Sequence, residues 1–371
     1  MSATRLFAIA RKEALQLSRD AKSLALAFLL PALLLVLFGY AISWDVHHIP
    51  TAVLDQSRSA ASRAVLDLFR AAGYFEVVAT LESPAEIETT LDRGEALLVL
   101  SFPPDFADRL GGGSPAAVQA IVDGSDANTA AIAMAYAQAV VRTSASRLAL
   151  AGRTRPPSLT AASRVWYNEE LESRNMIVPG LVAVLMMIVA AMLTSLTIAR
   201  EWERGTMEQL AATPVTRSEV VLGKLLPYLG IGLIDVAVAV LLGVALFGVP
   251  LRGSIPLLAL ASFFFLVGAL GLGMFISAVA RSQLLASQMA MLATFLPAYL
   301  LSGFMFSIAV MPAPLKAITT LVPARYFLVV TRGIFLKGVG LEVLAREMLL
   351  MIAFASLGLT LAIRAFKKEI G

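Results

Sequence analysis

Long apolar stretches, nearly free of charge, alternate with polar segments along this chain. Six of them are long enough to cross a bilayer: Ser23–Trp44, Met176–Ala199, Val221–Phe247, Ile255–Ala280, Leu284–Phe306 and Met348–Ile363. A helix rises about 1.5 Å per residue, so about 20 apolar residues cover roughly 30 Å of hydrocarbon. The third stretch is interrupted by Lys224 near its start and Asp235 near its middle. Gly268, Gly271, Gly273 and Pro297 fall inside the stretches. Small residues there let helices approach closely, and a proline kink is tolerated where neighbours satisfy the freed backbone groups. The first run is longer than a signal-peptide core and follows about 22 residues of mixed charge. It therefore reads as a retained span, although Ala41-Ile42-Ser43 faintly resembles a cleavage site.

Between the first two runs, residues 45–175 change character and predict a soluble α/β domain. Strands are expected at Thr51–Asp55, Phe75–Ala79, Ala96–Ser101 and Val118–Asp123, with a helix over Ser59–Ala72 and a long one over Asp126–Ala151. Ser83-Pro-Ala-Glu86 has the spacing of a capping box, and Gly111-Gly-Gly-Ser-Pro115 reads as a turn. Alternating strands and helices point to one sheet packed by helices. Asp123 and Asp126 flank a Gly-Ser turn and read as turn and helix-cap residues.

Composition agrees with lipid as the main solvent. Of 371 residues, 58% are hydrophobic and 15% charged, with a mean hydropathy of +0.80; soluble domains run nearer half apolar and a quarter charged. The basic balance reflects loops facing one side of the membrane, not nucleic acid. Arg5, Arg11, Lys12, Arg19 and Lys22 precede the first span, Arg200, Arg204, Arg217 and Lys224 lie between the second and third, and Arg364, Lys367 and Lys368 follow the sixth. An even number of spans puts all three clusters on one side, which the positive-inside rule makes cytoplasmic, with both termini. Lys316, Arg325, Arg332, Lys337 and Arg346 fall on the other side; residues 307–347 are expected to dip partly into the membrane. The inserted domain is acidic, with sixteen Asp or Glu against eleven Arg and no Lys. That is an ordinary solvated surface or a docking face for a partner.

Several chemistries are excluded. There are no cysteines, hence no disulfides, thiolate metal sites or cysteine nucleophiles. His47 and His48 adjoin the first span and read as a polar interface segment, or a weak metal pair. No Gly-x-x-x-x-Gly-Lys-Ser/Thr loop occurs, so the chain does not cradle ATP phosphates, and no zinc-protease or Gly-x-Ser-x-Gly motif is present. Asp235 is an acid deep in a span. It reads as a proton or cation site, a polar contact in a transport path, or a hydrogen-bonded helix contact to Thr194, Ser195 or Gln288. Met186, Met187, Met192, Met289 and Met291 read as lipid-facing filler or as an adaptable lining.

The most informative segment follows the second span. Glu201-Trp-Glu-Arg-Gly-Thr-Met-Glu-Gln-Leu-Ala-Ala-Thr-Pro214 interleaves acids with Arg200 and Arg204. Gly205 permits a break, Thr206 is placed to cap a new short helix, and Thr213-Pro214 stops it. Residues 200–220 therefore predict a short charged helix held at the membrane surface. Residues 1–22, with Leu6, Phe7, Ile9, Ala10, Ala14 and Leu17 among basic side chains, predict an interfacial helix.

Here the chain resembles the ABC type-2 exporter permeases. Their coupling helix carries Glu-x-Glu-x-Gly-Thr-x-Glu-x-Leu…Pro, matched by Glu201, Glu203, Gly205, Thr206, Glu208, Leu210 and Pro214, with Arg204 among them. A second match is Leu301-Ser-Gly-Phe-Met-Phe306, Met311-Pro312, Pro323, Tyr326 and Arg332-Gly-Ile-Phe-Leu-Lys-Gly338, with Ser307 where relatives often carry Pro. The element order agrees over essentially the whole chain, and most closely with the drug-efflux-type subgroup that has a large periplasmic domain. The resemblance implies a polytopic α-helical membrane protein: an interfacial helix (1–22), a first transmembrane helix (23–44), a periplasmic α/β domain (45–175) and a five-helix transmembrane domain (176–371). It implies a permease subunit that is not itself an enzyme and binds no cofactor, with ATP and Mg on a partner ATPase. It further implies a second permease copy or paralogue, membrane lipid around it, a bacterial inner-membrane location and room for a periplasmic adaptor. The expected cargo is drug-like or amphipathic. The alternatives are an ion-gradient-coupled transporter using Asp235 and a non-transporting membrane scaffold.

Overall fold

A computed structural model describes residues 2–41, 48–112, 114, 116–123, 127–151 and 172–366. His47, Asp126, Lys367, Lys368 and part of the Gly111–Pro115 turn lie outside the described residues. The chain divides into two compact units, Trp44–Arg164 and a second formed by Met1–Ser43 with Val165–Gly371.

The chain opens with α1 (Ala3–Arg19) and α2 (Ala21–Ala41). The smaller unit follows: β1 (Ile49–Asp55), α3 (Ala60–Ala71), β2 (Phe75–Thr80), α4 (Ala85–Asp92), β3 (Leu98–Phe102), α5 (Phe106–Gly111), β4 (Gln119–Val122) and α6 (Ala127–Ala151). Its sheet runs β2-β1-β3-β4. β1 pairs in parallel with β2 and β3, while β4 is antiparallel to β3. Every residue of β3 is buried, as a central strand covered on both faces requires. One face packs Phe69, Phe75, Phe102 and Phe106 with Ala133 and Ala137 of α6. The other packs Ala52, Leu54 and Val99 against Ile87 and Leu91 of α4.

The four strands and the α3 and α6 helices lie where the residue pattern places them; α5 was not foreseen. The capping box forms elsewhere. Ser59 Oγ accepts from the Ser62 N–H at 3.1 Å while the Ser59 N–H donates to Ser62 Oγ at 3.1 Å. At the expected Ser83 site, Ser83 Oγ donates to Glu86 Oε1 and the Glu82 N–H donates to Glu86 Oε2, so no helix N–H is capped by Ser83. Pro84 takes the capping position itself, which leaves Ser83 one residue too far from the helix to reach it.

The larger unit continues with α7 (Ser173–Glu203), α8 (Met207–Ala211), α9 (Arg217–Ala245), α10 (Ile255–Ala280), α11 (Gln283–Leu296), α12 (Ala313–Thr319), α13 (Pro323–Arg332) and α14 (Leu341–Ala365). Among the described residues, α7, α9, α10, α14 and α11 with its π-helical extension to Leu301 are long and apolar enough to cross a membrane. α2 runs for 21 residues, but its described apolar portion, Ala27–Ala41, is shorter than the other five. The chain is therefore a mostly helical, polytopic membrane protein with five or six spans. α7 is the hub and packs against α2, α9, α10, α11 and α13. Glycine makes its closest approach possible: a Cβ on Gly273 of α10 would lie 2.2 Å from the Ala191 carbonyl oxygen and 2.3 Å from Thr194 Oγ1. Thr194 Oγ1 donates to the Leu270 carbonyl at 2.8 Å, and Ser277 Oγ accepts the Ile198 and Ala199 N–H groups at 3.0 and 2.9 Å.

The fifth span ends earlier than expected. Helical structure stops at Leu301, and Gly303 turns the chain at a φ of 88°, so residues 302–306 are not part of a transmembrane helix. Beyond them, Ala313–Thr319 and Pro323–Lys337 form a pair bent by 79°. The bend is pinned to the start of α7. Thr331 Oγ1 donates to the Pro179 carbonyl at 3.1 Å, and Arg332 Nε donates to the Met176 carbonyl at 3.3 Å. Ser307 holds φ −62° and ψ 126°, a conformation proline also takes, so the turn keeps its shape without the proline.

Candidate functional site

The end of α7 and the turn into α9 gather a dense set of charged side chains, from Arg200 to Lys224. Gly205, at a φ of 67°, ends α7 and lets α8 start in a new direction. Thr206 occupies the capping position, but its side chain does not cap forward; Thr206 Oγ1 donates back to the Glu201 carbonyl at 3.4 Å. α9 carries the capping box instead: the Glu219 N–H donates to Thr216 Oγ1 and the Thr216 N–H donates to Glu219 Oε2 at 2.9 Å.

The acids foreseen as one set divide by direction. Glu201 turns inward. Its Oε1 accepts from Lys224 Nζ at 2.9 Å and from Lys12 Nζ at 3.3 Å. Lys224 is 2% exposed and donates a second time, to Glu13 Oε1 at 2.5 Å. Glu201 was expected in the charged segment at the membrane surface, and its inward turn is a correction; Lys224, expected near the start of the third span, lies buried there. Residues 3–4 apart on α1 explain it: Ala10, Glu13 and Leu17 form the buried face, while Phe7 is 66% exposed. Glu13 is carried inward among apolar neighbours, and only a buried cation satisfies it there.

Glu203 stays exposed, yet it too is bonded within the chain. Its carboxylate accepts the Gln283 N–H at 2.8 Å and the Gln283 side-chain amide, which satisfies the start of α11. Arg281 stacks over Trp202 at 4.7 Å. The Pro214 carbonyl accepts from Arg5 at 2.5 Å, and the Ser2 N–H donates to Glu219 Oε1 at 2.6 Å. A Cβ on Gly223 would strike Ile9 at 2.8 Å, so the glycine lets α1 lie directly on α9. Arg200 reaches Asp20 at 3.6 Å. Arg204, Gly205, Thr206 and Glu208 remain exposed, and Leu210 is half-buried. The segment is thus a charged, outward-facing turn whose roots are tied by ion pairs to α1 and α9. Sequence reasoning missed Glu13 and Lys224 as partners, because 211 residues separate them.

Asp235 is 3% exposed, and its Oδ2 has no hydrogen-bond partner. None of the three partners foreseen for it reaches it: Thr194 bonds to Leu270, Ser195 Oγ donates to the Met192 carbonyl, and Gln288 is exposed. Met186 and Met187 are buried in the bundle, whereas Met289 and Met291 are half-exposed. Among the described residues, no group of His, Asp or Glu is placed to hold a metal.

Comparison with known proteins agrees with this architecture. The family described as ABC-2 family transporter protein matches residues 22–364. The chain is 36% identical, over 96% of its length and 94% of the relative's, to the Escherichia coli (strain K12) protein named "Probable multidrug ABC transporter permease YbhS". It is 32% identical to "Probable multidrug ABC transporter permease YbhR" of the same organism, over 91% of this chain and 92% of that one. It is 26% identical to the Escherichia coli (strain K12) "Inner membrane transport permease YhhJ", over 87% and 86%.

Proposed function

The chain belongs to the ABC-2 family of transporter proteins, and on that premise we propose that it exports drug-like, amphipathic molecules out of the cytoplasm or inner leaflet of a bacterial inner membrane. It is a membrane-spanning permease subunit of an ABC exporter and not itself an enzyme. The names of two relatives as multidrug permeases favour this cargo. Energy comes from ATP, bound with Mg on a separate ATPase subunit. The permease works as a dimer with a second copy or a paralogue. Both termini and the Arg200–Pro214 turn face the cytoplasm, and the acidic α/β unit faces the periplasm, where it offers a surface for an adaptor protein.

One observation carries the reading: the exposed α7–α8 turn is rooted by buried ion pairs in two other helices. A push on such a turn moves α1, α7 and α9 together, because the carboxylates of Glu13 and Glu201 share one lysine. Arg204, Thr206 and Glu208 meet the ATPase. Gly205, Leu210 and Pro214 shape the turn, and Glu201 and Glu203 transmit its movement without touching the partner. The test is co-purification of the ATPase with Arg204→Glu and Glu208→Lys. Each variant is expected to insert at normal yield and lose most of the bound ATPase. Wild-type ATPase recovery with both charges reversed refutes the docking assignment. Glu201→Lys is a poor probe of docking, since it drives a second cation against Lys224.

A further inference from the structure

Two cavities adjoin beneath the α7–α8 turn. The first, of about 170 Å³, is apolar, walled by Leu30 and Leu34 of α2 and by Ile188, Met192 and Leu196 of α7. The second, of about 420 Å³, is polar and bordered by Lys12, Glu13, Arg200, Glu201, Arg204 and Lys224. Gln16, Thr197, Arg200 and Tyr228 line both, so they form one amphipathic space.

We infer that this space is a binding site for one phospholipid whose headgroup carries both a phosphate and a hydrogen-bond donor. Four observations fit such a molecule. The apolar chamber exceeds the cavity of about 150 Å³ that takes a benzene ring, so one acyl chain enters it and continues into the membrane through its open side. Along α7, the lining stripe from Leu185 to Arg200 rises about 22 Å, on the order of one leaflet with its headgroups. Across both chambers four cations face three carboxylates, Asp20 among them beside Arg200, and the one positive charge in excess matches the single negative charge of a phosphodiester. Within the polar chamber, Glu201 Oε2 is buried with no hydrogen-bond partner. It is a ready acceptor for the ammonium of phosphatidylethanolamine or a hydroxyl of phosphatidylglycerol. Phosphatidylcholine has the phosphate but no donor, and so satisfies only half of the site. The site lies against the Glu13–Lys224–Glu201 cluster, which makes the bound lipid a brace for the turn and not cargo.

The test is native mass spectrometry of the detergent-purified full-length chain with each of the three lipids. Saturable binding of one phosphatidylethanolamine or phosphatidylglycerol is expected, about tenfold tighter than phosphatidylcholine. Leu196→Trp, which fills the apolar chamber, should remove binding of all three. Glu201→Gln should erase the preference over phosphatidylcholine. Excess inorganic phosphate should leave the lipid in place. Equal binding of the three lipids by the wild type overturns the assignment, as does wild-type binding by monodisperse Leu196→Trp. Displacement by inorganic phosphate alone means that only an anion is held. Displacement by an amphipathic drug such as ethidium means that the space belongs to cargo. Either result also overturns the inference. The readout is lipid binding, so it fails or succeeds separately from the transport reading.

Discussion

Replacing Lys224 with Met removes the single cation shared by two inward-facing carboxylates. Lys224 Nζ lies 2.5 Å from Glu13 and 2.9 Å from Glu201, whose side chains are 5% and 11% exposed. Methionine fills a similar volume, so the loss is electrostatic and not a cavity. Breaking a buried pair by removing one partner costs about 3–5 kcal/mol. The polar cavity beside the cluster admits water, and Lys12 still reaches Glu201, so the low end, about 3 kcal/mol, applies. For a domain of this size that is a fall in Tm of about 6–12 °C, measured by tryptophan fluorescence on the detergent-purified protein. The triple variant Lys224→Met, Glu13→Gln, Glu201→Gln carries no uncompensated charge and should recover most of the loss, since a buried ion cluster is worth little against neutral groups. A Tm shift below about 2 °C for Lys224→Met refutes the reasoning. So does a triple variant as unstable as the single one.

Three further outcomes follow from the packing and the caps. Gly273→Val places a side chain against the Ala191 carbonyl, where even a Cβ lies at 2.2 Å; the backbone of α7 cannot yield, so size-exclusion chromatography should find the protein aggregated or absent. Ser59→Ala should lower the stability of the α/β unit by about 1 kcal/mol through its lost capping box, whereas Ser83→Ala should stay within about 0.5 kcal/mol, as read by hydrogen exchange at α3 and α4. Asp235→Leu replaces a buried carboxylate oxygen that lacks a partner and should leave stability unchanged or raised. Retained ATP-driven export by this variant argues against ion coupling through Asp235, and its loss with normal folding argues for it.

The membrane spans were legible because hydrocarbon imposes a length and a composition that little else in a sequence imitates. The sheet of the α/β unit was legible for a related reason: a strand buried on both faces, such as Leu98–Phe102, is an almost continuous apolar run, broken here only by Ser101. Side-chain direction was not legible. Glu201 and Glu208 look equivalent in the motif, yet one points into the bundle and the other outward. The difference rests on Lys224 and Glu13, brought together across 211 residues by the packing of α1 on α9. The apolar residues of α1 also misled, since Phe7 marks its outer face and the acid Glu13 its inner one. The end of the fifth span was hidden because Leu301–Phe306 is apolar enough to continue a helix, and only the turn at Gly303 ends it.

The central claim is that this chain moves its cargo only when an ATPase acts on the Arg200–Pro214 turn. The direct measurement is uptake of a fluorescent amphipathic cation into inverted membrane vesicles containing the permease with and without its ATPase subunit, with proton and sodium gradients collapsed. Uptake that requires both the ATPase and ATP, and that Glu208→Lys abolishes while the permease remains in the membrane, is the predicted result. Transport by the permease alone, driven by an ion gradient and indifferent to ATP, contradicts the account.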